Sequence, residues 1–156
     1  MSLLNTYFGK YASLPMGWFF MAVLVAIEII VMSQALKRQY FNMRVAGSAL
    51  VSNTISGLAG AYTSIAINGG MMLVVWFPWV SSLEIDLTGD DGLIILILYY
   101  AVAFVATVLI ELLVNYFILK KRHDFREVLR ATVIANVVSY LLGTFILYTY
   151  SFVFYD

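Results

Sequence analysis

Glu28 and Glu111 each lie inside a long apolar run, and each is followed 25 positions later by an asparagine, Asn53 or Asn136, inside another such run. A carboxyl group in the middle of an apolar run is costly, and a chain that repeats the cost at the same spacing has little freedom in how it folds. Laying residues 27–60 over 110–143, at an offset of 83, gives ten identities in 34 positions. Chance in so apolar a composition would give roughly three. The matched pairs include Ile27/Ile110, Glu28/Glu111, Lys37/Lys120, Asn53/Asn136, Ser56/Ser139 and Gly60/Gly143. The polar matches carry the argument, since leucine can recur by accident whereas a carboxyl at the same depth has little reason to.

The composition fits a membrane chain. Of the 156 residues, 63% are hydrophobic and 12% charged, and the mean hydropathy is +0.92, outside the range of soluble globular domains. In lipid every backbone amide needs an internal partner, so long apolar runs must be helices. The expected fold is an all-α integral membrane protein, a single membrane domain over residues 1–156. Net charge is zero, which argues against a nucleic-acid partner. With no cysteine, one histidine and no zinc-type or phosphate-loop spacing, the catalytic vocabulary is nearly empty, and no metal or cofactor is expected. No cleavable signal peptide is apparent at residues 1–14.

Four stretches are long enough to cross about 30 Å of hydrocarbon at about 1.5 Å per residue: 16–36, 45–68, 93–119 and 128–152. They group as two tandem helical hairpins, repeat 1 over residues 16–68 and repeat 2 over residues 93–152. The first connection carries Lys37, Arg38 and Arg44, and the third carries Lys120, Lys121, Arg122, Arg126 and Arg130. The middle connection holds Glu84, Asp86, Asp90 and Asp91 without a basic residue. The positive-inside rule then places loops 37–44 and 120–127 in the cytoplasm and both termini on the periplasmic side of a bacterial inner membrane. Residues 1–14 space Leu3, Leu4, Tyr7, Phe8 and Tyr11 as a short interfacial amphipathic helix. Residues 69–92, with Trp76, Phe77 and Trp79, read as a linker along the outer interface.

Counting from the basic turns sets the depth of the polar residues. Glu28 lies nine residues before Lys37 and Asn53 nine after Arg44; Glu111 lies nine before Lys120 and Asn136 nine after Glu127. All four are therefore roughly 13 Å from a turn. A lone glutamate at that depth should be protonated or paired with a donor, and asparagine supplies two N–H groups. Ser56 and Gly60 follow Asn53 as Ser139 and Gly143 follow Asn136, so Asn, Ser and Gly share a helix face. Gly57 extends the small-residue stripe, which lets helices approach and lets serine bridge across. Two repeats of even span number have the same orientation and should be related by a twofold axis along the membrane normal. If the stripes face that axis, Glu28, Asn53, Ser56, Glu111, Asn136 and Ser139 converge. Such a cluster is either a hydrogen-bonded clasp or a proton or cation site. His123 reads as a solvated loop residue, and Asn115, opposite Met32 in the alignment, as a small break in the symmetry.

The signature of a glutamate and then, after a basic turn, N-x-x-S-x-x-x-G, over residues 28–60 and 111–143, resembles small multi-span bacterial membrane proteins. It is similar to the FraC family of cyanobacterial septal junctions, which maintains filament integrity. The resemblance implies a small polytopic subunit acting with partners in a larger envelope complex, and it assigns no site. The functional expectation is a non-enzymatic inner-membrane protein, an accessory or structural subunit that packs with itself or with other membrane subunits. The alternative is a small ion or proton conduit working as a dimer through Glu28 and Glu111. Lys37, Arg38, Lys120, Lys121 and Arg122 are candidates for contact with anionic lipid.

Overall fold

The computed structural model of the chain describes residues 15–68 and 90–154. Within them lie four α-helices and no strand: α1 (Pro15–Lys37), α2 (Met43–Asn68), α3 (Asp90–Leu119) and α4 (Phe125–Phe154). Each contains one of the four expected helical stretches and exceeds it by at most a few residues per end. The expected interfacial helix 1–14 and most of the linker 69–92 lie outside the described residues, apart from Asp90, Asp91 and Gly92, which open α3.

Local chemistry sets the turn ends of the helices. Pro15 heads α1, where its missing N–H costs nothing. Arg38 follows α1 at φ 53°, a left-handed residue that stops the helix while its N–H donates to Gln34 O at 3.0 Å. Asn42 caps α2, its Oδ1 accepting from the N–H groups of Arg44 and Val45 at 3.2 and 3.4 Å. At the second basic turn Asp124 caps α4, with Oδ1 2.7 Å from Glu127 N. Tyr116 and Phe125 close over that turn edge to face, with centroids 5.4 Å apart.

The faces of the helices are inverted relative to a water-soluble bundle. On α3, Ala103, Thr107, Glu111 and Asn115, spaced one turn apart, are buried. The opposite stripe of Leu98, Val102, Val105, Leu109, Leu113 and Phe117 is exposed. On α4 the buried line is Val128, Thr132, Ala135, Asn136 and Ser139, while Ile134, Val137, Leu141 and Phe145 face out. α2 buries Val45, Ser48, Ala49, Ser52 and Ser56 and exposes Leu50, Val51, Ile55, Leu58 and Tyr62. An apolar cluster that includes Met32, Val45, Leu112, Leu119 and Val128 fills the bundle toward the basic turns.

The larger interfaces join the two repeats. α1 packs chiefly on α4 and α2 on α3, more extensively than α1 on α2 or α3 on α4. Where the sequence led to four stretches long and apolar enough to cross a membrane, one among the described residues, Ala101–Leu119, is so by length and composition.

Candidate functional site

The six residues of the expected cluster meet in two reciprocal sets. Glu28, on α1, takes a hydrogen bond from Asn53 Nδ2 of α2 at 2.6 Å on Oε2, and Ser139 Oγ of α4 lies 2.5 Å from its Oε1. Glu111, on α3, takes one from Asn136 Nδ2 of α4 at 2.8 Å on Oε2, and Ser56 Oγ of α2 lies 3.0 Å from its Oε1. Adding 83 to the first set gives Glu111 and Asn136 directly, and subtracting 83 from Ser139 gives Ser56, so the pattern maps onto itself. Each glutamate is held by the asparagine of its own hairpin and by the serine of the other. All four carboxyl oxygens have a partner.

The same side chains are anchored to their own helices. Asn53 and Asn136 use a second N–H on the carbonyls of Ala49 and Thr132, at 3.0 and 3.1 Å, which fixes their amide orientation. Ser56 and Ser139 each lie 3.1 Å from the carbonyl three residues earlier, Asn53 O and Asn136 O. The two halves differ in cover. Glu111 and Asn136 are each 1% exposed, whereas Glu28 is 5% exposed and Asn53 half-buried.

A second polar layer, toward the basic turns, lies one turn from the first. Asn115 accepts from Ser48 Oγ at 2.7 Å, donates to Thr132 Oγ1 at 3.3 Å, and places Nδ2 3.9 Å from Met32 Sδ. It thus touches α1, α2 and α4 from α3. Met32 and Asn115 are equivalent positions of the two repeats, and such residues meet only at the axis that relates them. Asn115 is more than a break in the symmetry, because its neighbours Ser48 and Thr132 have Ala131 and Ala49 as their counterparts. The sequence signal was available: three polar residues, Thr107, Glu111 and Asn115, at helical spacing in an apolar helix. On the far side of the carboxyls, Thr107 Oγ1 and Tyr140 Oη lie 3.2 Å apart, and Tyr140 packs edge to face on Phe104.

Two expectations change. His123 is not solvated: it is buried, with Nδ1 2.9 Å from Glu127 Oε2, because the turn 120–124 winds back on Leu119 through the N–H groups of Arg122 and His123. Gly57 does not serve a close helix approach, since a Cβ built there meets no heavy atom within 4 Å; Gly60 and Gly143 are buried. Of the basic residues considered for lipid contact, Arg38, Lys120, Lys121 and Arg122 are exposed and Lys37 half-buried. Lys120 Nζ stands 4.8 Å over the Phe117 ring. Three buried side-chain atoms among the described residues have no hydrogen-bond partner: Ser33 Oγ, His123 Nε2 and Asn136 Oδ1. No family model, characterised protein or solved structure matches the chain.

Proposed function

We propose that the chain is a multi-pass inner-membrane protein with no catalytic machinery of its own, a structural or accessory subunit whose two hairpins are locked by the Glu–Asn–Ser clasps. One observation carries this reading: beyond the apolar cluster near the basic turns the bundle buries polar side chains, and its outward faces are apolar. Glu28, Ser48, Ser52, Ser56, Thr107, Glu111, Asn115, Thr132, Asn136 and Ser139 are buried, while the outward stripes of α2, α3 and α4 are Leu, Val, Ile and Phe. In water such an exterior would be a large association surface, whereas in a bilayer it is matched to its solvent. The basic turns cluster at one end of the hairpins, which the positive-inside rule assigns to the cytoplasm. The apolar stripes then face lipid or other membrane subunits, and the clasp residues keep the four helices in register.

Resistance of the protein to alkaline carbonate extraction tests the membrane assignment, and cysteine labelling tests the orientation. Single cysteines replacing the exposed Gln39 and Arg122 are expected to be shielded from an impermeant thiol reagent in intact cells, and cysteines replacing Ser2 and Thr88 to react. Labelling at position 39 from outside would reverse the orientation. A conduit for protons or ions working through Glu28 and Glu111 is the competing reading. The observation in its favour is the unpartnered, sealed Oδ1 of Asn136 beside Glu111.

A further inference from the structure

Ser139 Oγ and Ser56 Oγ each lie within hydrogen-bond distance of two oxygens, a glutamate carboxyl oxygen and a backbone carbonyl. A hydroxyl has one proton, so it donates to only one of the two at a time. When the carboxyl is ionised, the serine turns its O–H to the carboxylate. When the carboxyl is protonated, its own O–H donates to Oγ and the serine turns to the carbonyl, Asn136 O or Asn53 O. The asparagine N–H donates to Oε2 in either state. Each of these hydrogen bonds of the two glutamates is thus kept with the proton present and with it absent.

A second observation points to the ligand. The carboxamide of Asn136 spends its N–H groups on Glu111 Oε2 and Thr132 O, and its Oδ1 is buried without a donor. A buried acceptor with no donor from the chain calls for a proton-bearing group from outside it, a water or a hydronium ion. Neither α2 nor α4 brings a charge to the cluster; they present Asn53, Ser56, Asn136 and Ser139. The ionisable groups facing one another there are the two carboxyls, with the Tyr140 hydroxyl, placed against Thr107, about one turn beyond Glu111.

We propose that Glu28 and Glu111 form a paired proton-binding site inside the bundle, each exchanging its proton by rotation of one serine hydroxyl without backbone movement. On release the glutamate O–H bond breaks, the electron pair stays on the carboxylate, and the proton passes to a water molecule that reaches the half-buried Asn53 edge of the clasp. Half-buried Asn53 makes Glu28 the member that exchanges first, and sealed Asn136 makes Glu111 the inner member. The proposal adds a ligand to the clasp on which the preceding reading rests, but it does not depend on a bilayer.

The experiment is labelling of the full-length protein with dicyclohexylcarbodiimide, an apolar reagent that modifies protonated carboxyls, over a pH series with adducts located by mass spectrometry. It is run in detergent or, if carbonate releases the protein, in aqueous buffer, so loss of the membrane reading leaves this test intact. Adducts are expected at Glu28 before Glu111, rising as pH falls, with a titrating carboxyl C=O infrared band that is lost in Glu28→Gln/Glu111→Gln. Ser56→Ala/Ser139→Ala should keep the helical circular dichroism and shift the midpoint by on the order of one pH unit. Absence of adducts on both residues at every pH at which the protein stays helical would overturn the site. An unchanged midpoint in the serine variant would overturn the hydroxyl swing. The wild-type labelling needs no variant to fold.

Discussion

At the scale of single residues, the clasp makes a sharp distinction between removing a partner and replacing it. Glu111→Ala leaves one N–H of Asn136 Nδ2 unpaired in the interior, at about 1–3 kcal/mol, while Ser56 Oγ turns to Asn53 O. Glu111→Gln keeps an acceptor for either neighbour and is expected to cost less, as measured by denaturation in mixed micelles. The coupling should also cross the repeats. In a double-mutant cycle of Glu28→Ala with Ser139→Ala, a non-additive term of about 0.6 to 1.7 kcal/mol is expected, the scale of interhelical hydrogen bonds. Strict additivity would mean that the contact seen at Glu28 Oε1 adds nothing to stability. Asn115→Leu removes the partner of Ser48 and Thr132 together, and is expected to destabilise by about 1–3 kcal/mol even though it touches neither carboxyl.

At the scale of the helix, the turn-end caps do local work that packing does not duplicate. Asn42→Ala and Asp124→Ala each lose a side-chain acceptor for orphan N–H groups and should cost about 0.5–2 kcal/mol, read as a lower thermal midpoint. Arg38 is the opposite case. A left-handed backbone costs an L-residue roughly 1–2 kcal/mol, part of which glycine gives back through its greater chain entropy. Arg38→Gly is therefore expected to raise stability by up to about 1 kcal/mol in the same melt, and a lower midpoint would show that the arginine side chain contributes more than its backbone costs.

At the scale of the whole molecule, the repeats pack more extensively against each other than within themselves, and neither hairpin contains a complete clasp. Residues 1–80 and 81–156, expressed as separate chains in one cell, are expected to copurify. Ser56→Ala with Ser139→Ala should weaken that association while leaving the asparagine contacts inside each hairpin. Recovery of either half alone as a stable monomer would contradict the cross-repeat arrangement.

Much of this architecture was legible in the chain. The offset of 83 residues, the four apolar runs and the nine-residue counts from the turns put Glu28 beside Asn53 and Glu111 beside Asn136, because a regular helix converts position into depth. The small face shared by Asn53, Ser56 and Gly60 was also readable as the inward one. Which serine meets which glutamate was not. A helix face can be read from spacing, but the neighbour it meets depends on how the two hairpins cross, and spacing within either hairpin carries no information on that. The same limit hid the layer around Asn115, whose partners Ser48 and Thr132 lie on two other helices. It also hid the burial of His123, since a basic turn looks solvated until its backbone is seen to wind back over Leu119. The sequence determined the elements, the distance of their polar residues from the turns and their polar faces, whereas the tertiary structure alone decided the partners between the hairpins, because those contacts depend on the relative placement of helices far apart in the chain.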